Sequence, residues 1–569
     1  MSADPKPQAP AHIQARLDAL RAELGRRGLD GFLVPLTDEH MSEYIPPCAE
    51  RLRWLTDFGG SAGQGIVLAR RAAIFVDGRY TLQVMQQVSG ELFERVFLAD
   101  QSPQDWLRAA APEGARIGYD PRLHTPAQVE TLAAVMAERE GTLVAVTDNP
   151  VDAVWTDRPP RPAEPVSVHD EMFAGRTGDD KRADVAEKLA TQQADTLVLT
   201  MLDSISWVFN IRGGDVVHNP VTLAYALLTA EGQATLFIDA RKLGDSVRTH
   251  LGDAVEVAPY EDFYPTLDRL DGRRVLADPA TAPAAVFDAL DRGRATIVRA
   301  AEPVQALKAR KNAVEVQGAR DAHLRDGGAV ACFLQWLSET AAQGGVDEMT
   351  AAETLYAFRR QNDRFRGPSF DTISGAGPHG AIVHYRVSPQ TNRSLKPGDL
   401  YLVDSGGQYS DGTTDITRTI AVGDPPAEAR KHYTLVLKAY IALATTCFPE
   451  GTTGHQIDAI ARRPLWQAGL DYDHGTGHGV GSFLNVHEGP QRIAKQPNTV
   501  ALEPGMILSN EPGYYVPDRY GIRLENLELV MPVPSPGPRS LLGFETLTLA
   551  PYERELIEVA ALTDRKSVV

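Results

Sequence analysis

Leu400-Tyr401-Leu402-Val403-Asp404-Ser405-Gly406-Gly407-Gln408-Tyr409-Ser410-Asp411-Gly412-Thr413-Thr414-Asp415-Ile416-Thr417-Arg418-Thr419 decides how the C-terminal half of this chain folds. An apolar run closes on Asp404, a turn former follows at Asp411-Gly412, and a β-branched run returns through Asp415, which is a hairpin signature. With Asp411-Gly412 as a two-residue turn, Asp415 pairs with Gln408, and Gln408 shares a strand face with Asp404 because side chains alternate with period two. Both aspartates then face one side, but four residues apart along the strand, about 13 Å, too far to share a metal cluster. Gly406-Gly407 permits a bulge or bend that would bring them closer.

Downstream, His474-Gly475-Thr476-Gly477-His478-Gly479-Val480-Gly481 is too rich in glycine for a helix interior. Backbone is being brought close to something there. Glu511 follows the strand Met506-Ile507-Leu508 and precedes Pro512-Gly513, and Glu525 lies in Ile522-Arg523-Leu524-Glu525-Asn526-Leu527, where Arg523 and Glu525 read as sharing a strand face. Each residue alone has a plain structural job: cap, loop residue or water-facing strand position. Together, four carboxylates and an imidazole make a hard, oxygen-rich site suited to a pair of Mn²⁺, Co²⁺, Fe²⁺ or Zn²⁺ ions rather than a thiolate zinc. Such a pair lowers the pKa of a bridging water and polarises a carbonyl, giving hydrolysis without a protein nucleophile.

Upstream the texture changes. Ile13, Leu17, Leu20 and Leu24 share one helical face in a segment that ends at Gly28. Short apolar strands follow at Asp30-Gly31-Phe32-Leu33-Val34-Pro35, Gly65-Ile66-Val67-Leu68, Ile74-Phe75-Val76-Asp77 and Arg116-Ile117-Gly118-Tyr119-Asp120-Pro121, an α/β pattern. The order recurs at Asp195-Thr196-Leu197-Val198-Leu199, Leu236-Phe237-Ile238-Asp239 and Arg274-Val275-Leu276-Ala277-Asp278-Pro279, which reads as an internal duplication. Between the copies, Trp155-Thr156-Asp157-Arg158-Pro159-Pro160-Arg161-Pro162 has the composition of an interdomain connector. A second boundary falls near Pro303, and a long helical pattern begins at about Ala306 and runs through Val314, Ala322, Ala329, Phe333, Trp336 and Leu337. Pro464 falls inside another helical pattern, after Gly454, where it should break or kink the helix.

A chain of 569 residues is expected to form two to four domains. A net charge of −18 argues against binding to a nucleic-acid backbone, which clustered Lys and Arg drive. The polar, Pro-rich stretch Met1 to His12 reads as neither a signal nor an anchor, and no later apolar run approaches membrane-spanning length. Cys48, Cys332 and Cys447 lack metal-ligand spacing and read as small buried hydrophobes in a disulfide-free, cytoplasmic protein.

At the metal-ligand residues the sequence resembles the pita-bread metallopeptidase superfamily, specifically the three-domain Xaa-Pro aminopeptidases (aminopeptidase P). The resemblance is carried by HGTGHGVGSFLNVHEGP from His474, EPGYY from Glu511 and GIRLEN from Gly521, and upstream by Tyr44-Ile45-Pro46-Pro47-Cys48, Asp77-Gly78-Arg79-Tyr80, Trp155-Thr156-Asp157-Arg158-Pro159 and Asn210-Ile211-Arg212-Gly213. It implies two similar N-terminal α/β domains, residues 1–160 and 161–305, followed by an α+β pita-bread catalytic domain, residues 306–569. It implies a metal set of Asp404, Asp415, His478, Glu511 and Glu525 holding two divalent ions, Mn²⁺ first with Co²⁺ or Zn²⁺ as alternatives. It implies that His384, His478 and His487 line the substrate site, with His384 and His487 bonding the scissile carbonyl and its developing oxyanion. Glu511 becomes both ligand and proton shuttle, and His474 and Arg523 support the ligands, Arg523 by orienting Glu525.

The implied reaction is hydrolysis of the first bond of peptides with proline second, by a metal-bridging hydroxide. Two alternatives stay open: a prolidase acting on Xaa-Pro dipeptides, and a pita-bread binding module without catalysis. A homodimer is implied, although the chain reads Leu562-Thr563-Asp564-Arg565-Lys566-Ser567-Val568-Val569 where members of the subfamily continue into a further helical tail.

Overall fold

The computed structural model describes residues 10–562; the first nine and last seven residues, with the readings made on them, lie outside the described residues. The chain divides into two compact units. The first takes residues through Val168, then Gly178–Val217 and Val221–Pro303, and the second takes His169–Thr177, His218–Pro220 and the chain from Val304.

In the first unit, helix α1 (Ala11–Arg26) buries Ile13, Leu17, Leu20 and Leu24, the four positions that the periodicity places on one face. It packs with a six-stranded sheet of β1 (Gly31–Pro35), β2 (Gln64–Leu68), β3 (Ala72–Val76), β4 (Glu94–Phe97), β5 (Arg116–Tyr119) and β6 (Thr142–Ala145), in the order β4-β3-β2-β1-β5-β6. Phe32 and Val34 enter the core under α1 while Leu33 enters a core on the opposite face, so both faces of the sheet are covered.

A second sheet repeats the plan with β7 (Thr196–Leu199), β8 (Ala224–Thr229), β9 (Ala234–Ile238), β10 (Val255–Ala258), β11 (Arg274–Ala277) and β12 (Thr296–Arg299), ordered β10-β9-β8-β7-β11-β12. Position for position this is the first sheet again. The pairing directions agree as well: β1 with β2 and β7 with β8 are antiparallel, β1 with β5 and β7 with β11 parallel.

The second unit opens on two helices rather than one. After Pro303–Ala309 the chain breaks and α2 (Ala313–Thr340) begins, because Asn312 caps it: its side chain accepts from the Val314 and Glu315 amides while the Glu315 carboxylate returns to the Asn312 amide. The helical pattern from Ala306 therefore spans a boundary that hydrophobic spacing alone does not reveal. Cys332 lies on the exposed face of α2 and Cys447 in an exposed loop, so of the three cysteines only Cys48 is buried. Helix α4 (Gly454–Trp466), which follows α3 (Ala427–Ala444), runs through Pro464 instead of breaking there. Pro464 stands in the last turn, where the ring costs a single intrahelical bond.

The unit's strands are β13 (Phe365–Pro368), β14 (Ile373–Ala376), β15 (Leu400–Ser405), β16 (Gly407–Tyr409), β17 (Gly412–Thr413), β18 (Ile416–Ala421), β19 (Gly477–Gly479), β20 (Glu488–Ile493), β21 (Ile507–Asn510), β22 (Gly513–Val516), β23 (Tyr520–Arg523), β24 (Asn526–Val533) and β25 (Leu541–Thr546). They form sheets β13-β16-β17 and β14-β15-β18, the ribbon β22-β23, and a larger sheet in which β25-β24-β21-β19-β20 follow one another.

The hairpin turn is Ser410-Asp411, not Asp411-Gly412, because Tyr409 pairs with Gly412 and Gln408 with Thr413. With Asp404 paired to Thr417 and Ser405 to Ile416, Asp415 comes to lie across from Gly406. The two aspartates keep one face but are offset by two residues, about 7 Å, rather than four. At Gly406 the strand leaves one sheet for the other, and the backbone there is crowded: a Cβ would overlap the Thr414 carbonyl oxygen and the Ser369 hydroxyl.

Candidate metal centre

Asp404 is the penultimate residue of β15 and Asp415 precedes β18, so the hairpin carries both carboxylates on one face. His478 comes from the middle of β19. The glycines around it serve close strand packing, since a Cβ at Gly477 would overlap the Ser509 carbonyl and one at Gly479 the Glu488 carbonyl. Glu511 follows β21, its amide donating to the Thr476 carbonyl (2.9 Å) and its Oε1 accepting from the Ser509 hydroxyl (3.1 Å). Glu525 sits between β23 and β24 in a bridge to Thr417, whose hydroxyl donates to Glu525 Oε2 (2.7 Å).

Donor atoms of Asp415, His478 and Glu525 all lie within 4.8 Å of one another. The His478 Nδ1 is bonded to the Gly479 carbonyl (2.9 Å), so it carries the proton and turns Nε2 toward Asp415 Oδ2 (3.5 Å) and Glu511 Oε1 (3.6 Å). An imidazole held in this way turns Nε2, the nitrogen that a metal would take in place of a proton, toward the carboxylates.

The electrostatics are those of a site that expects cations. Burial pushes the Glu525 carboxyl well above its ordinary range, and Asp415, Glu511 and Asp404 push it further. Burial, partly offset by His478 and Arg523, holds Glu511 up at about 7. Asp404 is also raised, chiefly by burial against the opposing effect of Arg523, and its buried Oδ1 finds no hydrogen-bond donor among the described residues. For His478, burial works downward, but Asp415 and Glu511 more than offset it and hold the imidazole at about 9. Buried carboxylates this close repel one another unless positive charge lies between them, and a hard divalent pair fits this donor set.

Arg523, 1% exposed, is the buried guanidinium of the site. It donates to Asp404 Oδ2 (2.6 Å), to the Thr417 hydroxyl (3.2 Å), to the Tyr515 hydroxyl (2.7 Å) and to the Val383 carbonyl (3.3 Å). Its carboxylate partner is thus Asp404, and it reaches Glu525 through Thr417 rather than directly. The shared-face reading fails because β23 ends at Arg523 and Glu525 lies beyond the end of that strand.

His474 Nε2 meets the Tyr515 hydroxyl (2.9 Å), which makes a chain from His474 through Tyr515 and Arg523 to Asp404. Sequence reasoning passed over Tyr515 and Thr417, although Tyr515 stands inside the EPGYY string and Thr417 two residues after Asp415. The His487 ring lies 4.3 Å from that of His478 at 72°. His384 follows Val383, whose carbonyl Arg523 holds.

Residues 16–154 and 157–315 each match the Creatinase/Prolidase N-terminal domain, in two related forms, and residues 317–532 match Metallopeptidase family M24. Over 568 residues the chain is 41% identical to a probable Xaa-Pro aminopeptidase P of Laccaria bicolor, covering 97% of this chain and 88% of that protein. It is also 41% identical over 575 residues to a probable Xaa-Pro aminopeptidase P of Coprinopsis cinerea, covering 96% and 92%. Among solved structures, X-prolyl aminopeptidase from Caenorhabditis elegans, described as a cytosolic enzyme with a di-nuclear active site, superimposes with a TM-score of 0.93 at 33% identity, over 98% of this chain and 94% of that one. The prolidase of Pyrococcus horikoshii OT3 shares the fold over 66% of this chain and all of its own, with a TM-score of 0.52 at 24% identity.

Proposed function

The chain belongs to metallopeptidase family M24, and from that membership we infer that it is a metal-dependent aminopeptidase that hydrolyses the first peptide bond of peptides with proline in the second position. Its two N-terminal domains are of the creatinase/prolidase type and its catalytic domain is of the pita-bread type; the domain limits proposed are 1–160, 161–305 and 306–569. The observation that carries the reading is the convergence of Asp415, His478 and Glu525 in one buried centre, in a chain that follows an X-prolyl aminopeptidase over nearly its whole length.

Asp404, Asp415, His478, Glu511 and Glu525 would hold two divalent cations, with Mn²⁺ proposed as the native metal. Bound there, such ions supply Lewis acidity toward the scissile carbonyl and an activated water. Around them the protein provides orientation and proton handling. Glu511, whose Oε1 faces His478 Nε2, takes the proton of the attacking water and passes it to the proline nitrogen as the carbon–nitrogen bond breaks. His487, packed on His478, and His384 donate hydrogen bonds to the carbonyl oxygen as it gains negative charge, and His478 forms part of the substrate wall. His474 acts at a distance, through Tyr515, on the guanidinium that fixes Asp404.

A cytoplasmic homodimer acting on peptides, with no nucleic-acid or membrane partner, completes the proposal; none of the helices among the described residues is long and apolar enough to cross a membrane. Stripping the protein with a chelator and titrating Mn²⁺ back tests the metal reading. About two ions per chain with recovery of peptidase activity is expected, whereas a binding scaffold takes up none and stays inactive.

A further inference from the structure

Three residues stand apart from their neighbours in the chain. Val217 and Val221 belong to the first unit, but His218–Pro220 belong by their contacts to the second. His218 holds a left-handed backbone, φ 70°, which is uncommon outside glycine.

Two sets of contacts hold the residue. The His218 ring, through Nε2, meets Asp371 Oδ1 at 2.8 Å, and Asp371 Oδ2 pairs with Arg386 at 3.2 Å, two residues beyond His384. The His218 carbonyl accepts from Gln408 Nε2 (3.1 Å), and the same amide nitrogen donates to the carbonyl of Leu484 (2.7 Å), three residues before His487. Gln408 cannot swing away, because its Oε1 accepts from the Thr413 hydroxyl (2.8 Å), to which the Leu484 amide also donates (3.3 Å). Phe483, beside Leu484, is itself left-handed, φ 48°, a conformation costly for an aromatic residue. One fully bonded glutamine thus joins His218 to Leu484, the neighbour of left-handed Phe483, and backbone strain persists where surrounding contacts over-determine it.

We propose that His218 is a positioning residue for hydrolysis: its ring and its carbonyl tie the loop carrying His384 to the loop carrying His487, and so fix the distance between the two imidazoles that receive the scissile carbonyl. The catalytic part of this proposal rests on the aminopeptidase reading above; the tie itself does not. Oxyanion donors accelerate hydrolysis only when both stand where the developing charge appears, so loosening the tie lowers kcat more than it raises KM.

His218→Asn removes the ring while keeping a residue that tolerates the left-handed backbone. Gln408→Leu cuts the carbonyl arm. Amide hydrogen exchange is expected to speed up in residues 382–388 for the first variant and in 481–487 for the second, with the rest of the catalytic unit unchanged; unchanged exchange in those segments overturns the tie. In turnover of an Xaa-Pro tripeptide, His218→Asn is expected to lose about tenfold in kcat with KM nearly constant, and to cost almost nothing further in a His384→Ala background. Losses that multiply in that background make His218 merely structural and overturn the catalytic part. A wild-type protein that fails to cleave the tripeptide defeats the aminopeptidase reading instead, and the exchange arm still decides the tie.

Discussion

Asp415 and Glu525 both contribute to the three-residue cluster with His478, and Arg523 makes its carboxylate hydrogen bond to Asp404 rather than to either of them. The proposed ligand role of these two carboxylates is tested directly by substitution. Asp415→Ala or Glu525→Ala is expected to reduce turnover by at least about a thousandfold while circular dichroism and thermal midpoint stay near the parent values; activity within tenfold of the parent in either variant removes that residue from the ligand set. At this scale the sequence was informative about identities. Asp404, Asp415, His478, Glu511 and Glu525 stand in recognisable strings, and the donor atoms of Asp415, His478 and Glu525 converge. It was silent about Tyr515 and Thr417, because a hydroxyl group is common in strands and acquires its meaning from what folds against it. It named Glu525 as the partner of Arg523, whose direct carboxylate partner is Asp404, because strand parity holds only while the strand lasts and β23 stops at Arg523.

The hairpin shows what a strand pattern can and cannot fix. Alternation put Asp404 and Asp415 on one face, and the structure keeps them there, but the separation depended on which two residues make the turn. Moving the turn by one position, to Ser410-Asp411, changes the offset from four residues to two. Local sequence did not choose between those turns; the packing of Gly406 against Thr414 and Ser369 does. Gly406→Ala is accordingly expected to lower the thermal midpoint of the catalytic unit, at a cost of about 1–3 kcal/mol for forced overpacking. Gly328→Ala, in the interior of α2 with open space around it, is expected to raise the midpoint through better helix propensity. Equal shifts of the same sign would contradict the crowding argument.

A second element-scale prediction concerns Glu528 on β24. Burial lifts its carboxyl to about 7, against hydrogen bonds from Thr546, Tyr440 and Asn510 that pull it down. A carboxyl raised in the fold stabilises fully below its unfolded value, near 4.3, and loses that contribution as pH climbs through about 7. Relative to Glu528→Gln, the parent should lose stability on the order of 3 kcal/mol between pH 4 and pH 8, read as diverging thermal midpoints. Parallel curves would show that folding leaves the Glu528 carboxyl unshifted.

For the molecule as a whole, the duplication was legible because strands of four to six residues repeat in order, and the two sheets reproduce that order strand for strand. The placement of His218–Pro220 with the catalytic unit was not legible, since long-range contacts leave no local pattern. Substrate length separates the enzyme readings, and a single assay addresses it. The protein, stripped and reloaded with Mn²⁺, is offered Arg-Pro-Pro and, separately, an Xaa-Pro dipeptide. Release of free arginine from the tripeptide, abolished in Glu525→Ala, is the predicted result; cleavage of the dipeptide with the tripeptide left intact would contradict it.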